Sequence, residues 1–406
     1  VKALDGSDQG VEVTEDLYIE DDPAAEVFSV NSAPYTIGQD NAIINGTSTI
    51  FVDGGNVADL TYDGSSEYLV EVGGATGVTI NDTTINDTQG GLQGAVGTSG
   101  SASNGLTIDD VTFENFDGDG PVLDLGTGGA SNNVNVTNNV FDVGQTGVVS
   151  LVGSQTDADL TQIDNNEITY QGGSSEKAIL LDFDENSADD DGEVTINGNE
   201  IYGASGSSQI GVSLEASSNE FESNITVDDF YAENVTTAIT DQNQLDSDTI
   251  DISNIEIVDS TNGIDLTVSS SGNDNTKSVT IEDTTGDGLD LDAIGTGIAV
   301  DTTSDLGDAV EIRNVTINNS NKGIVTAGIS AGYFNVSDSD ITNVDNVAGI
   351  EVNGGVGESV NVDTVTVTDA NPDSKNVKAV DVNTGGVAAN IAGLTATDVD
   401  IGVDAG

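Results

Sequence analysis

A chain of 406 residues with seventy-two acidic and seven basic side chains carries a formal charge of −65. That charge is spread along the whole length and excludes nucleic acid as a partner, because no basic patch is present to neutralise phosphates. With neither Cys nor His, the chain has no disulfide, thiolate nucleophile or imidazole base, and no zinc site built on those ligands.

The chain opens at Val1 and contains no Met, so an initiator and a signal peptide are expected to have been removed. No apolar run approaches the ~20 residues needed to span a bilayer, and no membrane span is expected in this chain. Residues 1–74 read as an N-terminal cap with irregular first coils and a possible assembly segment: Val11-Glu12-Val13-Thr14 and Leu17-Tyr18-Ile19 cover the first coil, and Tyr35-Thr36-Ile37 and Ile43-Ile44-Asn45-Gly46 are expected to form an irregular first coil. The glycine-rich stretch Gly90 to Gly105 reads as a loop between coils.

From residue 75 to 406 short runs rich in Val, Ile and Thr alternate apolar with polar, each closed by Asn, Asp or Gly, which is the signal of strands and not of a helical stripe. One inward apolar residue anchors each unit: Ile80, Ile108, Val136, Ile163, Ile196, Val227, Ile252, Ile281, Ile312, Val336, Val362 and Ile391, about 28 residues apart. Two residues later stand Asp82, Asp110, Asn138, Asn165, Gly198, Asp229, Asn254, Asp283, Asn314, Asp338, Thr364 and Gly393, types that accept a left-handed backbone in all but one case. Five residues after the anchor an apolar residue returns, as in Ile85, Phe113, Phe141, Ile168, Ile201 and Ile257, with Gly286 the exception. A third strand follows, often opened by glycine, as in Gly211-Val212, Gly263-Ile264, Gly297-Ile298, Gly323-Ile324 and Gly349-Ile350. Three short strands per unit predict an all-β solenoid, a parallel β-helix of about twelve or more coils, in which each coil buries the inner face of the next.

The Asx position after each anchor, repeated coil upon coil, resembles the asparagine ladder of the pectin-lyase-like right-handed β-helix superfamily over about residues 75 to 406. The scarcity of Lys beside abundant Asp resembles the secreted, surface proteins of haloarchaea, whose charge is screened in molar salt. The resemblance implies enzymes that cleave acidic polysaccharides, the lyases with an Arg or Lys base and the hydrolases with clustered Asp and basic residues that hold the uronate. Here Arg313 is the sole Arg and the lysines are scattered at Lys2, Lys177, Lys277, Lys322, Lys375 and Lys378, so an anionic sugar is not expected to bind. For a neutral glycan, outward Glu351 and Asp381 on neighbouring coils form the alternative catalytic pair, each expected to perturb the other's pKa.

Asp182, Asp184, Asn186, Asp190 and Glu193 occupy positions 1, 3, 5, 9 and 12 of an EF-hand-like loop, a candidate Ca²⁺ site that lacks the usual glycine because Ser187 stands there. Nine N-glycosylation sequons begin at Asn45, Asn81, Asn86, Asn135, Asn224, Asn234, Asn314, Asn318 and Asn335, about the number this Asn, Ser and Thr content produces by chance. The last unit, from Ile391 to Val403, stays in register, so an end-to-end contact with a second copy is expected. The expected role is an extracellular scaffold, filament subunit or adhesin with cell-surface glycans as a partner; the alternative is a secreted glycosidase or a viral tail-spike-like protein.

Overall fold

Alternating Val, Ile and Thr favour extended backbone, because β-branched side chains are stiff at χ1 and pack well on a pleated surface. In the computed structural model the elements are strands joined by tight corners and loops, stacked in parallel as a β-solenoid. The structure describes the backbone of strands from Tyr18 to Ala405, the tight corners from residue 105 onward, and side chains from residue 79 onward outside the longer loops. Two compact units divide the chain, residues 1–153 with 161–172, and residues 154–160 with 173–406.

In the first unit Ile80, Ile108, Val136 and Ile163 stand in register on successive first strands. Ile85, Phe113, Phe141 and Ile168 do the same on the second strands. All eight side chains are fully buried. The Phe113 and Phe141 rings stack 4.6 Å apart and 5° from parallel, as the coil spacing of about 4.8 Å dictates for like residues at one repeat position. The strands of residues 18–72 pair in the same parallel fashion, Tyr18 with Ile43, Ile43 with Thr61 and Thr61 with Thr84. Val11 to Thr14, assigned to the cap, lie outside the described residues.

The stretch Gly90 to Gly105 is not simply a loop. It contains the strand Gly94–Thr98, which pairs with Tyr68–Val72 on one side and Leu123–Leu125 on the other. Fully buried Ala95 and Val96 supply the apolar contact that holds this glycine-rich segment in the sheet.

In the second unit the first-strand column runs through eight coils, Ile196, Val227, Ile252, Ile281, Ile312, Val336, Val362 and Ile391. The second-strand column is Ile201, Ala232, Ile257, Leu291, Ile317, Ile341, Val367 and Ala396. Leu291, and not Gly286, therefore fills the apolar slot of its coil. Extra residues between Glu282 and the strand Leu289–Thr302 shift the count.

Chain direction changes where Asn, Asp, Gly or, at Thr364, threonine adopts a left-handed backbone. Two residues after the anchors, φ is +53° at Asp110, +57° at Asn138 and +55° at Asn165 in the first unit. In the second it is +64° at Gly198, +49° at Asp229, +51° at Asn254, +57° at Asn314, +49° at Asp338, +56° at Thr364 and +61° at Gly393. This conformation turns the N–H toward the adjacent coil. Asn138 N donates to Asp164 O (3.0 Å), and Asn254 N donates to Glu282 O (3.1 Å). Asp283 departs from this pattern: it is buried, and its carbonyl accepts from Asn314 Nδ2 at 3.0 Å. The side chain of Asp82 lies outside the described residues.

A second left-handed corner, not anticipated from the sequence, follows five residues later at Asn115, Asn234, Asp259, Asn319, Asn343 and Asp398. The stack of buried asparagine side chains also sits one residue beyond the Asx bend, at Asn139 and Asn166 in the first unit and at Asn199 in the second. Asn139 Nδ2 donates to Ile108 O (3.0 Å) and Asn166 Oδ1 (2.9 Å), while Val111 N donates to Asn139 Oδ1 (3.0 Å). Asn166 repeats the arrangement, donating to Val136 O at 2.9 Å and accepting from Asn139 N at 3.0 Å. A primary amide suits this place because it pairs both a backbone carbonyl and a backbone N–H in the turn, groups that would otherwise be buried without partners. The bend itself needs φ above zero, and the ladder needs an inward amide. Neighbouring residues divide the two tasks.

The glycines that open the third strands answer to close approach, not to a turn. A Cβ at Gly323 would lie 2.4 Å from Gly349 O, and one at Gly263 would lie 2.3 Å from Gly297 O. At these two positions the nearest atom belongs to the backbone of the next coil, which cannot swing aside as a side chain can.

Candidate functional site

Alternation along a strand sends Glu351 and Asp381 outward while their neighbours Ile350, Val352 and Val380 fill the core. The strands Ala348–Asn353 and Lys378–Asn383 pair so that Glu351 stands beside Asp381. Asp404 extends the same column on the strand Ile401–Ala405.

Two lysines, at the opening of strands two coils apart, converge on this column. Lys322 Nζ lies 2.8 Å from Glu351 Oε2, and Lys378 Nζ lies 2.6 Å from Asp381 Oδ2 and 2.9 Å from Asp404 Oδ2. Asparagines hold the other carboxylate oxygens, Asn353 Nδ2 donating to Glu351 Oε1 (2.8 Å) and Asn383 Nδ2 to Asp381 Oδ1 (3.1 Å). Asn383 also donates to Asn353 Oδ1 at 3.2 Å, so the amides are themselves tied coil to coil. Lys177, at the equivalent strand position, pairs with Glu215 of the following coil. Three lysines that look scattered in the sequence, Lys177, Lys322 and Lys378, therefore hold one kind of place in the coil.

Burial opposes ionisation of Glu351, but hydrogen bonds from Lys322 and Asn353 and the charges of Lys322 and Lys378 outweigh it and hold the carboxyl below the ordinary glutamate range. The expected mutual perturbation by two carboxylates is thus overridden at Glu351 by the lysines. A carboxylate held ionised in this way suits an ion-pair stitch between coils better than the work of a general acid at neutral pH. Glu351→Gln is expected to lower stability by about 1 kcal/mol, the size of an ion pair whose lysine is partly open to solvent. Because the folded-state pKa is depressed, that contribution is present above the unfolded value and is lost as pH falls through the folded one. Urea titrations should show the gap between the two proteins at neutral pH and its closure in acid.

The Ca²⁺ candidate is divided. Asp182 stands next to the end of the strand Lys177–Phe183 and Glu193, exposed, begins the strand Glu193–Asn197, while Asp184, Asn186 and Asp190 lie outside the described residues. Among the described residues no group of three or more acidic side chains converges as a metal cage.

Of the sequon asparagines, Asn314 is exposed and Asn81, Asn135, Asn224, Asn234, Asn318 and Asn335 are half-buried; the side chains of Asn45 and Asn86 lie outside the described residues. Several amides are engaged between coils. Asn224 Oδ1 accepts from Thr249 N (3.0 Å) and Oγ1 (2.8 Å), Asn318 Oδ1 accepts from Thr342 Oγ1, and Asn335 Oδ1 accepts from Asn361 Nδ2 (2.7 Å). Asn314 Nδ2 donates to Asp283 Oδ2 (3.2 Å) as well as to its carbonyl.

One group of residues escaped the sequence reading. On the outward face of the second strands, Tyr202 and Tyr231 lie on adjacent coils with ring centroids 5.3 Å apart and planes tilted by 46°. Each phenol donates to the glutamate two residues away on its own strand, Tyr202 to Glu200 (2.6 Å) and Tyr231 to Glu233 (2.9 Å). Burial, then the hydrogen bond and charge of Glu233, then Glu256 and Glu200, push the Tyr231 phenol up to about 12. An ultraviolet titration of the tyrosines should show one late component near that value, and Glu233→Gln should move it back toward 10. The signal was the pair Glu200-Ile201-Tyr202 and Tyr231-Ala232-Glu233 one coil apart, legible once the register is known.

No family model matches the sequence, and no curated protein and no solved structure matches the chain. No helix among the described residues is long and apolar enough to cross a membrane.

Proposed function

We propose that this chain is an extracellular structural protein of a halophile, a pectin-lyase-like right-handed β-helix serving as a filament or cell-surface scaffold subunit, with adhesion to cell-surface glycans as an associated role. The observation that carries this reading is the use made of the two carboxylates best placed for chemistry. Glu351 and Asp381 are each held by a lysine on one oxygen and an asparagine on the other. The charge of −65 supports the halophilic part, since it favours molar salt as the working medium.

Assembly is proposed to occur by end contacts. The strands Ala388–Ala392, Thr395–Thr397 and Ile401–Ala405 pair with the preceding coil, and Ile401 and Val403 are 39% and 45% exposed. The end of a parallel solenoid presents strand edges with which a layer from a second copy can pair. Negative-stain images and sedimentation in molar salt test the proposal. Rods lengthening with protein concentration are expected, and a monodisperse monomer at all concentrations would overturn it.

The in-register stacking of Glu351 on Asp381 favours a second reading, a carbohydrate-active β-helix such as a glycosidase or tail-spike-like protein. In that case Glu351→Gln and Asp381→Asn should each abolish hydrolysis of a neutral glycan, whereas the scaffold reading predicts no hydrolysis to abolish.

A further inference from the structure

We infer that the outward face formed by Glu200, Tyr202, Tyr231, Glu233 and Glu256 is a docking surface for an arginine-bearing segment of another protein. Register places Glu200 beside Tyr231, Tyr202 beside Glu233, and Tyr231 beside Glu256, so ring and carboxylate alternate along each strand and from coil to coil. Carboxylates line much of this molecule, but here they frame two aromatic rings in mutual contact.

The rings are set before any partner arrives. Both phenols are fixed by hydrogen bonds to Glu200 and Glu233, and Asn234 Nδ2 holds the second oxygen of Glu233 at 3.1 Å. Little side-chain entropy is then lost on binding. The described ion pairs of Lys177, Arg313, Lys322 and Lys378 all go to other carboxylates, which leaves the negative field of this face uncompensated by them.

Charge complementarity selects the occupant. A second copy of the chain has only seven basic side chains to offer such a face, whereas a cation-bearing partner matches its charge. Among cationic side chains, only the planar guanidinium stacks on a tyrosine ring while directing paired N–H donors at a neighbouring carboxylate; an ammonium offers a point charge. Glu256, exposed and next to Tyr231, is the carboxylate positioned for that fork. A neutral sugar would stack on the rings, but both phenol protons are already donated elsewhere.

The test titrates the full chain with two glycine-spaced peptides of equal charge, one carrying three arginines and the other three lysines. The arginine peptide is expected to bind at least ~10-fold more tightly, the size of one stacking and bidentate contact. Tyr202→Ala with Tyr231→Ala, which leaves the charge unchanged, should erase that preference, while Tyr202→Phe with Tyr231→Phe should keep it. Circular dichroism on each variant separates loss of the surface from loss of fold. Equal affinity for the two peptides, a preference that survives removal of the rings, or a neutral oligosaccharide that binds at the rings in preference to the arginine peptide would each overturn the inference.

Discussion

Diluting this protein from 3 M to 0.1 M NaCl is expected to lower its melting temperature by on the order of 10–20 °C. In-register stacking places like charges beside one another, as Glu114 beside Asp142 and Glu256 beside Asp290. At the coil spacing of about 4.8 Å, two carboxylates repel by roughly 1 kcal/mol even in bulk water. Seven basic residues neutralise few of the seventy-two acidic ones. The Debye length of about 8 Å at physiological ionic strength spans neighbouring coils, whereas at 1 M it shrinks to about 3 Å, less than one coil. Differential scanning calorimetry across a salt series measures the effect. KCl should match NaCl if screening is the cause, and a melting temperature independent of salt would remove the argument for a halophilic setting.

Asn139→Ala is expected to cost about 3–5 kcal/mol, as much as truncating a large buried apolar side chain. The change removes the donor to Ile108 O and to Asn166 Oδ1 and the acceptor for Val111 N, all buried between coils. Water cannot reach these groups in a fully packed turn, so each lost bond carries its desolvation penalty. Val140→Ala, at the neighbouring residue of the same coil and 40% exposed, serves as the comparison and should shift stability by less than about 0.5 kcal/mol. Urea unfolding of both variants measures the difference. Equal effects at the two positions would mean that the buried amide contributes nothing beyond volume.

The coil register was legible in the sequence because inward positions must be apolar at one fixed place per turn. Ile252, Ile281, Ile312 and Val336 are partners across adjacent coils. The corners were half legible. Asx at the bend is a backbone requirement visible as a residue type, but the inward ladder is a side-chain requirement, and adjacent asparagines such as Asn138 and Asn139 merge the two in one-dimensional reading. The second corner at Asn115, Asn234 and Asn319 carried the same residue types and was overlooked because Val143 and Tyr170 interrupt the series.

The chemistry was less legible than the fold. Stacking of Glu351 on Asp381 follows from the repeat, but Lys322 reaches Glu351 from the neighbouring coil, and Lys378, three residues from Asp381 on its own strand, also reaches Asp404 one coil on. Their shared place at the opening of third strands emerges only when Lys322, Ala348 and Lys378 are aligned by pairing. The Tyr202 and Tyr231 pair was hidden for the same reason, since contact between successive coils is long-range in sequence.

Parallel, in-register stacking is the claim on which every site rests, and cross-linking tests it against no background because the chain has no Cys. Thr280 and Glu311 are partners on adjacent coils, whereas Asp251 and Glu311 are two coils apart. Oxidation of the Thr280→Cys, Glu311→Cys double variant should form an intramolecular disulfide readily, because the Cα separation of about 4.8 Å falls inside the range a disulfide spans. The Asp251→Cys, Glu311→Cys variant, at about twice that distance, should not close. Failure of the first pair, or equal closure of both, would contradict the solenoid register.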